Sequence, residues 1–283
     1  MTLDLAERPA ARHPAVTEAE LNYLGPAEGR LFTYTYPPPE GQPRSNITAA
    51  PHRVAIRDLR PTAGRVSLDR EGFAVARGAS ALRRFEDEAA IRAVYYPESA
   101  RILQAATGAA RVHIFDHTIR RQAPGAEDRA GGARQPVARV HVDHTEWSGP
   151  QRVRDLLPEE AEALLRGRVQ IVNLWRPIAG PVRDMPLAVC DTTTVAPDDL
   201  VPGDLIYPDR RGETYQVRFN PAHRWYWLPE MTTEEALLLK VYDSARDGTA
   251  RFSPHTAFAV PGTPADVPPR QSIELRALLF HPA

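Results

Sequence analysis

The chain has one cysteine, Cys190, and one lysine, Lys240, in 283 residues. A single thiol excludes an internal disulfide and any cysteine-based zinc site, and Cys190 reads as a small buried hydrophobe. Nearly all the positive charge is therefore arginine. The 35 basic and 36 acidic side chains leave a net charge of −1, with no basic block longer than a few residues. That balance argues against nucleic acid as the main partner. No apolar run approaches the roughly 20 residues of a transmembrane helix, so no membrane partner is expected. The stretch Met1-Thr2-Leu3-Asp4-Leu5-Ala6-Glu7 lacks the basic-then-apolar pattern of a secretory leader. The expectation is a soluble, cytoplasmic protein, in which the acceptor-like Asn46-Ile47-Thr48 is idle. No G-x-G-x-x-G, no Walker pattern and no internal repeat is present, which disfavours a nucleotide-binding α/β fold.

What is present is a chain that turns from mixed to strand-rich. Residues 1–29 read as a polar, alanine-rich arm with one short helix near Thr17–Tyr23. Strands are expected at Leu31–Tyr36 and Val54–Leu59, across a Pro/Gly-rich loop. Helical spacing runs from Asp87 to Tyr95, and a second helix starts at Pro97 and stops at Gly108. From Arg111 strands dominate: 111–120, 139–143, 169–176, 187–193, 204–207, 214–219, 224–228, 251–258 and 272–280. A Gly/Ala/Pro/Arg-rich loop, 122–138, precedes the second of them. A short helix is expected at Glu159–Arg166, and Thr232-Thr233-Glu234-Glu235 reads as a capping box opening a helix to about Tyr242. The pattern predicts a mainly β protein with flanking helices and a jelly-roll or barrel core. The expected organisation is a single domain over 1–283: the arm, strands and support helices over 30–110, and a β core with insertions over 111–283.

The stretch that organises the chain is Arg139-Val140-His141-Val142-Asp143. On a strand, His141 and Asp143 project to one face and Val140 and Val142 to the other. One more histidine would complete a two-histidine, one-carboxylate facial triad, which leaves positions open for cosubstrate and O2 on a non-haem Fe(II). Alone, such a pair is equally a strand-end couple bonded to backbone or water. His144-x-Glu146 is a rival pair beyond the strand end.

The closing strand carries the second signal. Ile273, Leu275, Ala277 and Leu279 alternate with Arg270, Ser272, Glu274 and Arg276. The polar face either meets water or lines something polar. A guanidinium fork with a hydroxyl two residues on, Arg270-x-Ser272, suits a carboxylate. Arg276 is a lesser candidate for the same task. Fifteen residues upstream of Arg270 lies His255, and His223 is its rival as third ligand. His113 and His117 are expected to share a strand face, and Asn173 and Trp175 either line a pocket or pack.

His141-x-Asp143, His255 and Arg270-x-Ser272 in this order resemble the Fe(II)/2-oxoglutarate-dependent oxygenase superfamily. Longer stretches resemble its hydroxylase/desaturase branch, which includes fungal aspergillic-acid-type hydroxylases and relatives of the cephamycin methoxylation P8 chain. They are Phe115–Arg120, Val172–Ile178, Pro186–Asp191, His223–Trp227, Tyr242–Ser244 and Pro254–Phe258, so the likeness spans roughly residues 20–280. It implies a double-stranded β-helix core, one Fe(II) on His141, Asp143 and His255, and 2-oxoglutarate and O2 as cosubstrates. It further implies Arg270 and Ser272 on the far carboxylate of 2-oxoglutarate, with Arg276 as a second candidate. The substrate would be a small natural-product or amino-acid-derived molecule, hydroxylated or desaturated with release of succinate and CO2. One departure is His144, where the family pattern leads one to expect glutamine. The rival readings are a metal-free β-barrel binding protein of the same fold and a metal hydrolase using the same ligands. Oligomeric state is left open.

Overall fold

The computed structural model describes residues 14–123, 125 and 134–282; most of the arginine-rich loop lies outside them. The first part of the chain holds β1 (Val16–Leu24), β2 (Leu31–Tyr34), β3 (Ala49–Asp58) and β4 (Phe73–Arg77). A helical run follows: α1 (Glu88–Ala90), a π-helical turn (Ile91–Tyr95) and α2 (Tyr96–Thr107). Next come β5 (Arg111–Arg121), β6 (His141–Val142), α3 (Ser148–Leu156), α4 (Ala161–Leu164), β7 (Val169–Pro177) and β8 (Leu187–Cys190). Six more strands complete the chain: β9 (Leu200–Ile206), β10 (Arg211–Val217), β11 (Trp225–Trp227), β12 (Glu235–Asp243), β13 (His255–Ala257) and β14 (Gln271–Phe280).

Two of the expected helices are strands. In β1, buried Thr17, Ala19, Leu21 and Tyr23 alternate with exposed Glu18 and Glu20, which is a period of two. β1 pairs with β3 along its whole length, so this part of the expected arm is an edge of a sheet. The second is 232–242. The capping contact does form, for Glu235 accepts from the Thr232 N–H at 3.1 Å. The chain then leaves as β12, because Ala236, Leu237, Leu238 and Leu239 have apolar neighbours on both sides and no polar face for a helix to show. The helices expected from Asp87 and from Pro97 are one run. Asp87 caps it by accepting from Ala89 and Ala90, and the π turn sits just before Pro97, which has no N–H to continue the ladder. Gly108, at φ 69°, ends it.

Five strands form one sheet in the order β4-β12-β7-β14-β5, and nine form the other, β1-β3-β11-β8-β13-β6-β10-β9-β2. The five-stranded sheet has two buried faces. Its outer face (Val172, Leu174, Leu238, Ile273, Leu275) packs on Ile91, Tyr95 and Leu103 of the helical run. Its inner face (Ile171, Trp175, Leu237, Leu239, Leu278) meets Val142 and Val189 from the larger sheet. Burying these side chains is worth about 1.5–3 kcal/mol each, which is what holds the sheets together. The two facing sheets make the expected double-stranded β-helix. Among the described residues no helix is long and apolar enough to cross a membrane.

Candidate metal centre

β6 lies between β13 and β10 in the larger sheet, and His141 and His255 are direct cross-strand partners. The strand at 139–143 is shorter than expected, with regular pairing only at His141–Val142. Val140 and Val142 are fully buried, as the alternation requires. The ligand atoms of His141, Asp143 and His255 all lie within 4.8 Å of one another. The Asp143 Oδ1 is 3.4 Å from His141 Nε2 and 4.0 Å from His255 Nε2.

Both imidazoles are set in the same way. The Nδ1 of each donates to the carbonyl two residues back, His141 to Arg139 at 2.7 Å and His255 to Ser253 at 3.1 Å. That fixes the proton on Nδ1 and leaves the Nε2 lone pair for a metal. Asn173, fully buried on β7, donates to Asp143 Oδ2 at 2.6 Å and orients the carboxylate. Burial alone would raise the Asp143 carboxyl. Contact with His141, and then the nearness of His255 and of the Arg276 guanidinium, outweigh it and hold the group well below the usual carboxylate range. Burial, and then the nearness of His141, push the His255 imidazole down. An ionised carboxylate and a neutral imidazole are the forms that ligate a metal. The donor set therefore fits a hard-to-borderline divalent ion such as Fe(II).

The rival ligands are used elsewhere. His223 Nδ1 meets the Tyr23 hydroxyl at 3.2 Å and its Nε2 meets Asp199 at 3.1 Å, so both ring nitrogens are taken. Glu146 pairs with Arg251 and Arg246, and His144 is held by the Ser148 hydroxyl at 3.2 Å. Burial pushes the His144 imidazole down to about 4. His113 and His117 do not share a face, because a bulge at Phe115 shifts the register of β5 on β14. His117 points outward to Tyr96 and Glu88.

The polar face of β14 turns inward. Arg270, Ser272 and Glu274 are buried, and water is not what they meet. Arg270 donates from Nε to Ser272 Oγ at 3.2 Å and from Nη1 to the Met185 carbonyl at 2.5 Å, and its guanidinium stacks 5.0 Å from the Trp175 ring. Met185 holds that carbonyl in place from a left-handed backbone, φ 46°. Among the described residues no carboxylate pairs with Arg270. Burial and the like charge of Arg120 push its guanidinium down, to about 9. Arg276 is the opposite case, bound by Asp116 at 2.7 Å, by Glu274 and by Thr118.

Arg270 shares one small cavity, about 20 Å3, with the three ligand residues, Trp175 and Glu274. Among the described residues the buried Trp175 Nε1 has no hydrogen-bond partner. A larger cleft, about 680 Å3, shares Asp143 and Arg120 with that cavity as walls and also takes in Arg276. Sequence reasoning missed Arg120 and the Met185 carbonyl. The register Arg120↔Ser272 across β5 and β14 is the signal that would have found the first.

A double-stranded β-helix with a His–Asp–His cluster at one mouth defines a non-haem metal oxygenase class. Comparison with known proteins agrees. A family model described as an oxidoreductase/YMDC permease-like domain matches residues 21–280. The chain is similar to the Fe(II)/2-oxoglutarate-dependent dioxygenase nvfI of Aspergillus novofumigatus, 33% identical over 93% of this chain and 96% of that protein. It is also similar to the hydroxylase/desaturase efuI of Hormonema carpetanum, 35% identical over 80% of this chain and 83% of that one. A solved structure of the iron and alpha-ketoglutarate-dependent endoperoxidase NvfI superposes with a TM-score of 0.85 at 32% identity, covering 95% of this chain and 99% of that one. The chain belongs to the Fe(II)/2-oxoglutarate-dependent dioxygenases. It is thus an enzyme, an oxidoreductase, and Fe(II), 2-oxoglutarate and O2 are its cofactor and cosubstrates.

Proposed function

We propose that His141, Asp143 and His255 hold the Fe(II), and that Arg270 with Ser272 binds the far carboxylate of 2-oxoglutarate. The whole chain would act as one oxygenase domain on a C–H bond of a small natural-product-like substrate, by hydroxylation or desaturation. Iron bound with 2-oxoglutarate and O2 supplies the oxidant for C–H cleavage, with succinate and CO2 released. The residues of the chain bind and orient. Asn173 keeps Asp143 facing the two imidazoles. The Met185 carbonyl and Trp175 keep the Arg270 fork in one plane.

The observation that carries this reading is Arg270. It is a buried cation with neutral hydrogen-bond partners, in the same cavity as the triad. A guanidinium so placed is satisfied by an anion, and its fork matches a carboxylate in two parallel bonds. Arg276 already has carboxylates of its own and is the weaker choice. We infer a cytoplasmic location, the compartment that keeps Cys190 a free thiol and iron reduced. The net charge of −1 supports a small-molecule partner rather than nucleic acid. The test is anaerobic titration of the Fe(II) enzyme with 2-oxoglutarate, followed by the metal-to-ligand absorption band. One equivalent of iron and a saturable band are expected. An enzyme that binds neither, or an Arg270→Ala variant that titrates like the parent, would refute the assignment.

A further inference from the structure

The cleft of about 680 Å3 that opens from Asp143 is walled by α3, β5 and β10. Most of its charges are already matched. Arg276 is taken by Asp116 and Glu274, and Arg211 faces Asp204 at 3.5 Å. Glu213 pairs with Arg30, and Asp155 accepts from Gln151 at 2.7 Å. Arg152 and Arg210 differ. Both line the cleft, and among the described residues neither side chain has a hydrogen bond or an ion pair. Each is fixed through its flat face instead, Arg152 at 4.8 Å from the Phe115 ring and Arg210 at 3.7 Å from the Tyr207 ring. Stacking sets the plane of a guanidinium and leaves its N–H edges unfilled.

Arg210 is exposed, and an exposed arginine in water needs no partner. Arg152 is half-buried. Loss of water and the nearby Arg210 charge both work against its cation, and Asp116 and Asp155 offset this only in part, from beyond hydrogen-bonding reach. Two like charges beside a cleft, one of them partly desolvated, are stabilised by an anion from outside. The planar fork of Arg152 matches a carboxylate, which it can hold in two parallel bonds.

We propose that Arg152, supported by Arg210, recognises a carboxylate on the substrate. This anchor is separate from Arg270, which lines the other cavity. It rests on the reading of His141, Asp143 and His255 as the iron site, since it is their side of the cleft that the anchored molecule would reach. An anchor on α3 holds one end of the substrate and so selects which C–H bond lies against the metal centre.

The test uses enzyme loaded with Fe(II) and saturating 2-oxoglutarate without O2. Two probes are titrated calorimetrically, 4-phenylbutanoate and its neutral amide. The carboxylate should bind about tenfold more tightly or better, because a charge-assisted bidentate pair replaces a neutral contact. Arg152→Gln should abolish that preference and Arg152→Lys should keep part of it. Arg210→Gln should reduce it, while Arg270→Lys should leave it in place. Should Arg152→Gln fail to fold, Arg152→Lys and Arg210→Gln carry the test. A preference that is absent, that survives these changes, or that disappears only with Arg270→Lys overturns the proposal. The metal-to-ligand band of each loaded sample reports the iron site independently, so a failure of that reading shows as a missing band rather than as a lost preference.

Discussion

Asn173 donates to Asp143 Oδ2 at 2.6 Å from the opposite sheet, across the mouth of the barrel. This bond couples the five-stranded sheet to the candidate ligand set, because Asn173 lies on β7 and Asp143 directly follows β6. Asn173→Ala should therefore weaken iron binding about 10–100-fold, the usual cost of removing a residue that orients a ligand. Competition with a coloured chelator measures it. Unchanged iron affinity in a folded variant would show that Asp143 needs no such support.

The ligand assignment separates His255 from His223. His141→Ala, Asp143→Ala and His255→Ala should each lose Fe(II) and activity with the fold retained. His223→Ala should keep its iron and lose about 1–3 kcal/mol of stability, since Asp199 and Tyr23 would lose a buried partner. Iron stoichiometry and thermal melts on the same preparations decide. The reverse pattern of iron content would move the site to His223.

For the cosubstrate, Arg270→Lys keeps the charge and loses the fork, so the KM for 2-oxoglutarate should rise while iron stays bound. Arg270→Ala should cost on the order of 2–5 kcal/mol of cosubstrate binding, and Ser272→Ala about 1–2 kcal/mol. Arg276→Ala is the control. If it alone impairs 2-oxoglutarate binding, the clamp lies deeper, three same-face positions further along β14.

Acid stability should depend on Asp243. This carboxylate is fully buried against Lys240 at 2.7 Å and Arg168 at 2.7 Å. Burial alone would raise it, but the Arg168 bond and the Lys240 charge outweigh that and lower it from 3.8 to about 2. A depressed carboxyl adds stability above its unfolded pKa, and that stability is lost as pH falls through the folded value. The loss should amount to about 2 kcal/mol between about pH 4 and pH 2. Asp243→Asn should be less stable at neutral pH, where it leaves buried Lys240 with Asp69 as its one remaining carboxylate among the described residues, and the gap to the parent should narrow across that window. Denaturant midpoints at several pH values test this, and a gap independent of pH would contradict it.

Much of the site could be read before any contact was known, because a strand period of two is a local property. His141-x-Asp143 and Arg270-x-Ser272 were visible as same-face pairs from that period alone. The period was equally present in Val16–Leu24, where the alternation of Ala19, Leu21 and Tyr23 with Glu18 and Glu20 was overlooked in favour of a helix. At Thr232–Glu235 local chemistry pointed the wrong way. The capping contact is real, but it is worth about a kilocalorie, less than burying both faces of β12 between two apolar layers.

By itself, then, the amino-acid order determined the predominance of strands, the side-chain alternation along them and the residue types offered at the mouth of the barrel. Sheet order decided the rest. Only the pairing of β6 with β13 brings His255 opposite His141, and only the packing of β7 against the other sheet brings Asn173 to Asp143. Whether Arg270 or Arg276 has a carboxylate of its own likewise depends on which strand lies beside β14 and on a bulge at Phe115. Those are contacts between residues up to 160 positions apart. Their geometry is set by how two sheets close on one another, which no local propensity encodes.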